Sequence, residues 1–229
     1  MSDSSSPAGT VESEGPVAAE RALPLLGMIA YFQLAAFSRF AADSTLAPTL
    51  AERLSMAGFA RNALDRVDRV AQRIAELGGE LQPTMRPFAG VLVEFDRRTE
   101  PSTWAERLLK GYVGYGVADD FAEALAEGLD PVSRSVVDAV MVDDGHAGTV
   151  VAALGAAGEV DATLTPRLAL WGRRLVGESL GVVQGVLADH PEIVRLLSVA
   201  LPGDEPQQRL FARLTAEHTR RMDRLGLAA

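Results

Sequence analysis

Residues 51–79 read AERLSMAGFARNALDRVDRVAQRIAELGG, and this stretch decides the fold class. Its apolar side chains Met56, Phe59, Ala63, Val67, Val70 and Ile74 recur at steps of three or four. Side chains at those steps share one face of an α-helix, and here Arg, Asp and Gln fill the other faces. Gly78-Gly79 ends the run near Leu77. Upstream, Leu26, Ile29, Gln33, Phe37 and Phe40 keep the same period and predict a helix from about Pro16 to Ala42. Ahead of it, residues 1–16 are rich in Ser, Gly, Pro and Glu, with almost no apolar side chains. They are expected to form a disordered polar tail, because they bury too little surface to offset the entropy of ordering. That leaves 17–229 as one helical domain.

The pattern continues downstream. A short helix carries Phe88, Leu92 and Phe95. Pro101-Ser102-Thr103 opens a third long helix, with Glu106 placed for a capping box, and Gly128 stops it. Asp130-Pro131 supplies a cap and a first-turn proline for a fourth, which fades near Gly155–Gly158. Pro166 starts a long helix with Leu168, Trp171, Leu175, Val182 and Val186 on one side, and Pro191 starts a short one. Asp204-Glu205-Pro206 opens the last, striped by Leu210, Leu214, His218, Met222 and Leu225. No run alternates as a strand would. The expected architecture is all-α: a bundle of four long helices with additional packed helices.

Composition narrows the functions. A formal net charge of −9 argues against a protein that coats nucleic acid, which needs clustered Lys and Arg. The absence of cysteine removes disulfides, thiolate metal sites and a cysteine nucleophile. The N-terminal stretch has no basic region followed by an apolar run, so no secretory signal is expected. The longest apolar stretch, Leu23 to Phe37, holds Pro24, Tyr31 and Gln33 and is too short and mixed to span a bilayer. A cytoplasmic protein is the expectation. No phosphate loop, dinucleotide glycine pattern or nucleophile elbow is present, and Gly111, Gly114 and Gly116 sit in a helical pattern where small residues allow close packing.

The informative residues interrupt the apolar stripes near helix centres. They are Gln33 on helix one, Ala63 and Arg66 on helix two, Tyr115 on helix three, and Asp144, His146 and Gly148 on helix four. Helix centres of a bundle share one level, where such folds build cofactor sites. Taken singly, a core Gln or Tyr is an ordinary hydrogen-bonded residue. Glu178 and His218 interrupt the late helices and are expected to be buried, each with a polar partner and together as a pair that pins those helices.

Four segments, 168–178 (LALWGRRLVGE), 111–121 (GYVGYGVADDF), 143–147 (DDGHA) and 214–222 (LTAEHTRRM), resemble the actinobacterial ferritin-like proteins, a family similar to the tRNA hydroxylase MiaE. The resemblance extends over about Pro24 to Leu227 and implies a ferritin-like fold with a di-iron site. Such a site takes a Glu from each of two helices and a Glu-x-x-His from each of two others. This chain has three histidines, His146, His190 and His218, preceded at three residues by Asp143, Leu187 and Thr215, so no Glu-x-x-His exists. By the resemblance, Gln33 stands for the helix-one ligand, Ala63 and Arg66 for the helix-two pair, Tyr115 for the helix-three carboxylate and Gly148 for a helix-four Glu. An arginine remains protonated and would repel iron.

Three functions are consistent with these residues. The first is a non-catalytic binding or interaction protein without a metal, self-associating or paired with a related helical protein. The second is an iron-dependent hydroxylase of the tRNA-modifying type with rearranged ligands Asp143, His146, Glu178 and His218; tRNA would be a partner only in this case. The third is a binder of apolar small molecules in the bundle centre, lined by Gln33 and Tyr115. Arg209, Arg213, Arg220, Arg221 and Arg224 make the last helix basic, which is expected to be a solvated or salt-bridged surface.

Overall fold

The computed structural model of the protein describes residues 14–143 and 145–227. Most of the proposed tail, residues 1–13, and Asp144 lie outside them. Among the described residues every regular element is helical. Helix α1 (Glu14–Leu46) and helix α2 (Leu50–Glu76) are joined by a short turn and pack along their lengths. All six apolar residues of the α2 stripe are buried. Thr49 caps α2 by accepting from the Glu52 N–H at 3.2 Å. Two short helices, α3 (Leu81–Met85) and α4 (Val93–Arg98), follow, linked through a 3₁₀ turn at Arg86–Phe88. Phe88 and Phe95 anchor this segment in the core.

The third long helix has a defect in its middle. Helix α5 (Trp104–Leu109) runs into a π-helical turn (Lys110–Gly114) and on into helix α6 (Tyr115–Ala126). A π-turn inserts extra backbone, rotates the faces that follow it, and recurs at functional sites. Gly114 is required there, because a Cβ would stand 2.8 Å from Phe95 Cζ. The start of α5 is capped as its sequence indicates: the Glu106 N–H donates to Thr103 Oγ1 at 3.2 Å. Glu106 Oε2 in turn accepts from the Ser102 N–H at 2.6 Å.

The fourth helix departs from the sequence expectation. It is broken into α7 (Pro131–Met141) and α8 (His146–Val160). Gly145 takes φ +92° at the break, a conformation that suits glycine, and the Ala147 N–H donates to Asp143 Oδ1 at 3.3 Å to restart the chain. Helix α9 (Leu164–Asp189) then supplies the bundle's remaining long helix. The short α10 (Pro191–Ala200) and α11 (Pro206–Arg224) pack against α6 and α9. The basic α11 is extensively neutralised: Arg213 pairs with Glu127, Arg220 with Glu217 and Arg221 with Asp120.

Two apolar clusters fill the interior. One holds Leu25, Leu26, Ile29, Phe32, Phe121, Leu125 and Leu210, and the other Phe59, Leu109, Tyr112, Leu168, Leu175 and Met222. Residues 19–46 of α1 are long and apolar enough to cross a membrane, with mean hydropathy 1.4. However, 56% of that apolar window is buried inside the fold, as in the core helix of a bundle.

Candidate functional site

A polar chamber of about 210 Å³ is bounded by residues of both clusters, Phe32 of the first and Tyr112 of the second. Helix α1 contributes Gln33, Ala36 and Phe40 to its wall, and α2 contributes Arg66. The π-turn and α6 add Gly111, Tyr112, Tyr115, Asp119, Asp120 and Glu123. The α7–α8 break adds Asp143 and His146, and α11 adds Arg221 and Arg224. The wide turn of backbone at 110–114 and the break at 142–145 are therefore the two irregularities that shape it.

Gln33 is 5% exposed, and among the described residues its Oε1 has no hydrogen-bond partner. Tyr112, also 5% exposed, has a hydroxyl with no partner among the described residues. Each such orphan costs roughly 1–3 kcal/mol when buried. Asp119 faces the chamber with its pKa raised to about 7, because burial disfavours the carboxylate more than Arg66 and Arg221 favour it. Tyr115 is likewise pushed up by burial and stays protonated. Asp120 and Arg221 form a buried bidentate pair, with Arg221 Nη1 donating to Asp120 Oδ2 at 2.6 Å and Nη2 to Oδ1. Gly116 makes this possible, since a Cβ there would lie 2.5 Å from Arg221 Nε.

Arg66 Nη2 donates to the carbonyl of Val142 at 2.7 Å, satisfying a C-terminal carbonyl of α7 where the helix breaks. Its side chain stands between the chamber and an outer groove with Asn62, Arg69 and Ala139. His146 packs edge-on to Phe40 and Phe59, with ring centroids 5.0 Å from each.

The sequence-predicted residues divide on this geometry. Gln33, Arg66, Tyr115, Asp143 and His146 come together on the chamber wall. Ala63 is buried on the α2 stripe but does not line it. Gly148 was expected to face inward and does not: it is exposed, with nothing within 4 Å of a Cβ built there. The αL residue Gly145 redirects α8 and carries Gly148 to the outside. The Glu178–His218 pair does not form. Glu178 is half-buried and its carboxylate accepts from Arg98 Nη1 at 3.5 Å in a different groove. His218 is buried as expected, yet neither ring nitrogen has a partner among the described residues, and burial lowers its pKa to about 4. Asp119 and Asp120 were not singled out from the sequence, and Arg221 was read only as part of a basic, salt-bridged surface. The paired carboxyls beside Gly116 were the only local sign.

A second, apolar pocket between Phe32, Phe95, Val117, Phe121 and Val183 encloses only about 20 Å³, little more than one water.

A sequence profile described as a ferritin-like domain of actinomycetes matches residues 18–200. The chain belongs to this ferritin-like family. No curated protein matches it. The fold family implies a di-iron centre, and the described residues of this ferritin-like domain bring together no donor set that fits one. Among the described residues no three His, Cys, Asp or Glu side chains are grouped to hold a metal ion. Asp143 and His146 line the chamber, whereas Glu178 faces another groove and His218 does not line the chamber. Three guanidinium groups face the chamber's four carboxyls, and one carboxyl, Asp120, is held in a bidentate pair.

Proposed function

We propose that this ferritin-like domain has lost its di-iron centre and works as a non-catalytic binding protein, with the polar chamber as its binding site. The observation that carries the reading is the chamber wall itself. Gln33 on that wall is neutral and Arg66 is a cation, whereas two ferrous ions bring four positive charges into a low-dielectric core and need about as many negative ligands. The unpartnered Gln33 Oε1 and Tyr112 hydroxyl support a binding role, because buried polar atoms are satisfied in most proteins and a ligand can satisfy them here. A cytoplasmic location and association with itself or a related helical protein belong to the same proposal, and light scattering of the purified protein tests the association. The alternative, an iron-dependent hydroxylase acting on tRNA, needs Asp143, His146, Glu178 and His218 to converge, and their positions give it no support. The test is anaerobic ferrous loading followed by elemental analysis. Less than 0.1 iron per chain is roughly the expected result. Two irons per chain, with an oxo-bridged absorption band after oxygen exposure, would restore the hydroxylase reading.

A further inference from the structure

The chamber's chemistry narrows its ligand. Its volume of about 210 Å³ exceeds the roughly 150 Å³ that accommodates benzene, so a single ring with a small substituent fits. Phe32, Phe40 and Tyr115 supply aromatic wall, with Phe40 and Tyr115 tilted at 6.3 Å between centroids. The polar groups are unevenly committed. Arg221 is spent on Asp120, and Arg66 on the Val142 carbonyl. The acceptors are less committed: among the described residues Gln33 Oε1 has no donor, and the Asp119 carboxylate is favoured by the charges of Arg66 and Arg221 but by no hydrogen bond.

The charges lean the same way. Four carboxyls line the chamber (Asp119, Asp120, Glu123 and Asp143) against three guanidiniums (Arg66, Arg221 and Arg224), with His146 the remaining base. The surplus acid is held back from ionising by burial at Asp119, and Glu123 is raised for the same reason. A positive group entering beside Asp119 would find a buried carboxyl whose charge Arg66 and Arg221 offset only in part, and an amide oxygen short of a donor among the described residues.

We propose that the chamber binds a small organic cation, an aromatic ring carrying an amine or amidine whose N–H groups bond Gln33 Oε1 and the Asp119 carboxylate. This rests on the chamber being a binding site, and it adds the ligand class. Aromatic faces close to the cation contribute further attraction.

Calorimetric titration of the full chain at pH 7.5 with benzamidine, benzylamine, benzyl alcohol and benzoate tests it. Benzamidine or benzylamine should bind once per chain, and benzyl alcohol and benzoate at least about tenfold more weakly, since a hydrogen bond to a charged group contributes that much or more. Asp119→Asn should abolish the preference for the cation. Gln33→Leu should weaken benzamidine about tenfold while raising thermal stability, because it also removes the orphaned oxygen. Should Asp119→Asn fail to fold, Gln33→Leu alone decides. A preference for benzoate, equal binding of benzyl alcohol, saturation unaffected by both variants, or no binding of any probe would each overturn the assignment. Iron loading separates the two levels: failure here with iron still excluded refutes the ligand class and leaves the loss of the metal centre standing.

Discussion

Replacing His218 with leucine should change how stability depends on pH. His218 sits between Leu214 and Met222 on the buried face of α11, 3% exposed, with neither ring nitrogen partnered among the described residues. Burial lowers its pKa from 6.5 to about 4, so the folded protein holds it neutral where the unfolded chain would protonate it. The unfolded state therefore binds more protons between pH 6.5 and about 4, and stability falls as pH falls through that window. The loss is about 2 kcal/mol at pH 5 and about 3 kcal/mol below both values, from 1.36 kcal/mol per unit. Asp119 acts in the opposite sense. Its raised pKa costs stability as pH rises from 3.8 towards 7, so the two effects overlap and partly cancel in the wild type. The difference between wild type and His218→Leu isolates the histidine. Urea unfolding of both at pH 7.5 and pH 5 should show the variant gaining about 2 kcal/mol relative to wild type on going to pH 5. An equal change in both proteins would refute the buried, unpartnered histidine.

Two further predictions concern the wall of the chamber. Asp120→Asn leaves Arg221 buried with half of its bidentate partner and should destabilise the fold by ~3–5 kcal/mol, read by chemical denaturation. Gly116→Ala drives a methyl group to within 2.5 Å of Arg221 Nε and should displace the guanidinium from Asp120. A loss comparable to that of Asp120→Asn, with little further loss in the double variant, would show that both act through the same pair.

The helices were legible because their signals are local. The α2 stripe, the caps at Thr103 and Asp130 and the stop at Gly78-Gly79 all lie within a turn of the feature they specify. The π-turn at Lys110–Gly114 was not legible: its glycines continue a helical pattern, and the contact Gly114 makes room for comes from Phe95 on another helix. The α7–α8 break carried a turn signal in Asp143-Asp144-Gly145, but the apolar period on either side hid it. At the site, mid-helix placement on apolar stripes marked Gln33 and Tyr115. It misled at Gly148, because one left-handed residue turns the helix that follows. It also misled at Glu178, where Arg98, eighty residues away in sequence, supplies the partner. The Asp120–Arg221 pair joins residues separated by 101 positions, beyond the reach of any local pattern.

The most direct test of the lost metal centre is an anomalous difference map at the iron edge. Crystals would be grown anaerobically from protein incubated with excess ferrous iron. The chamber walled by Gln33, Arg66, Tyr115 and His146 should show no anomalous peak, with the Arg66 guanidinium still bonded to the Val142 carbonyl. Two peaks roughly 3.5–4 Å apart within the chamber, the spacing of a two-metal site, would contradict the account.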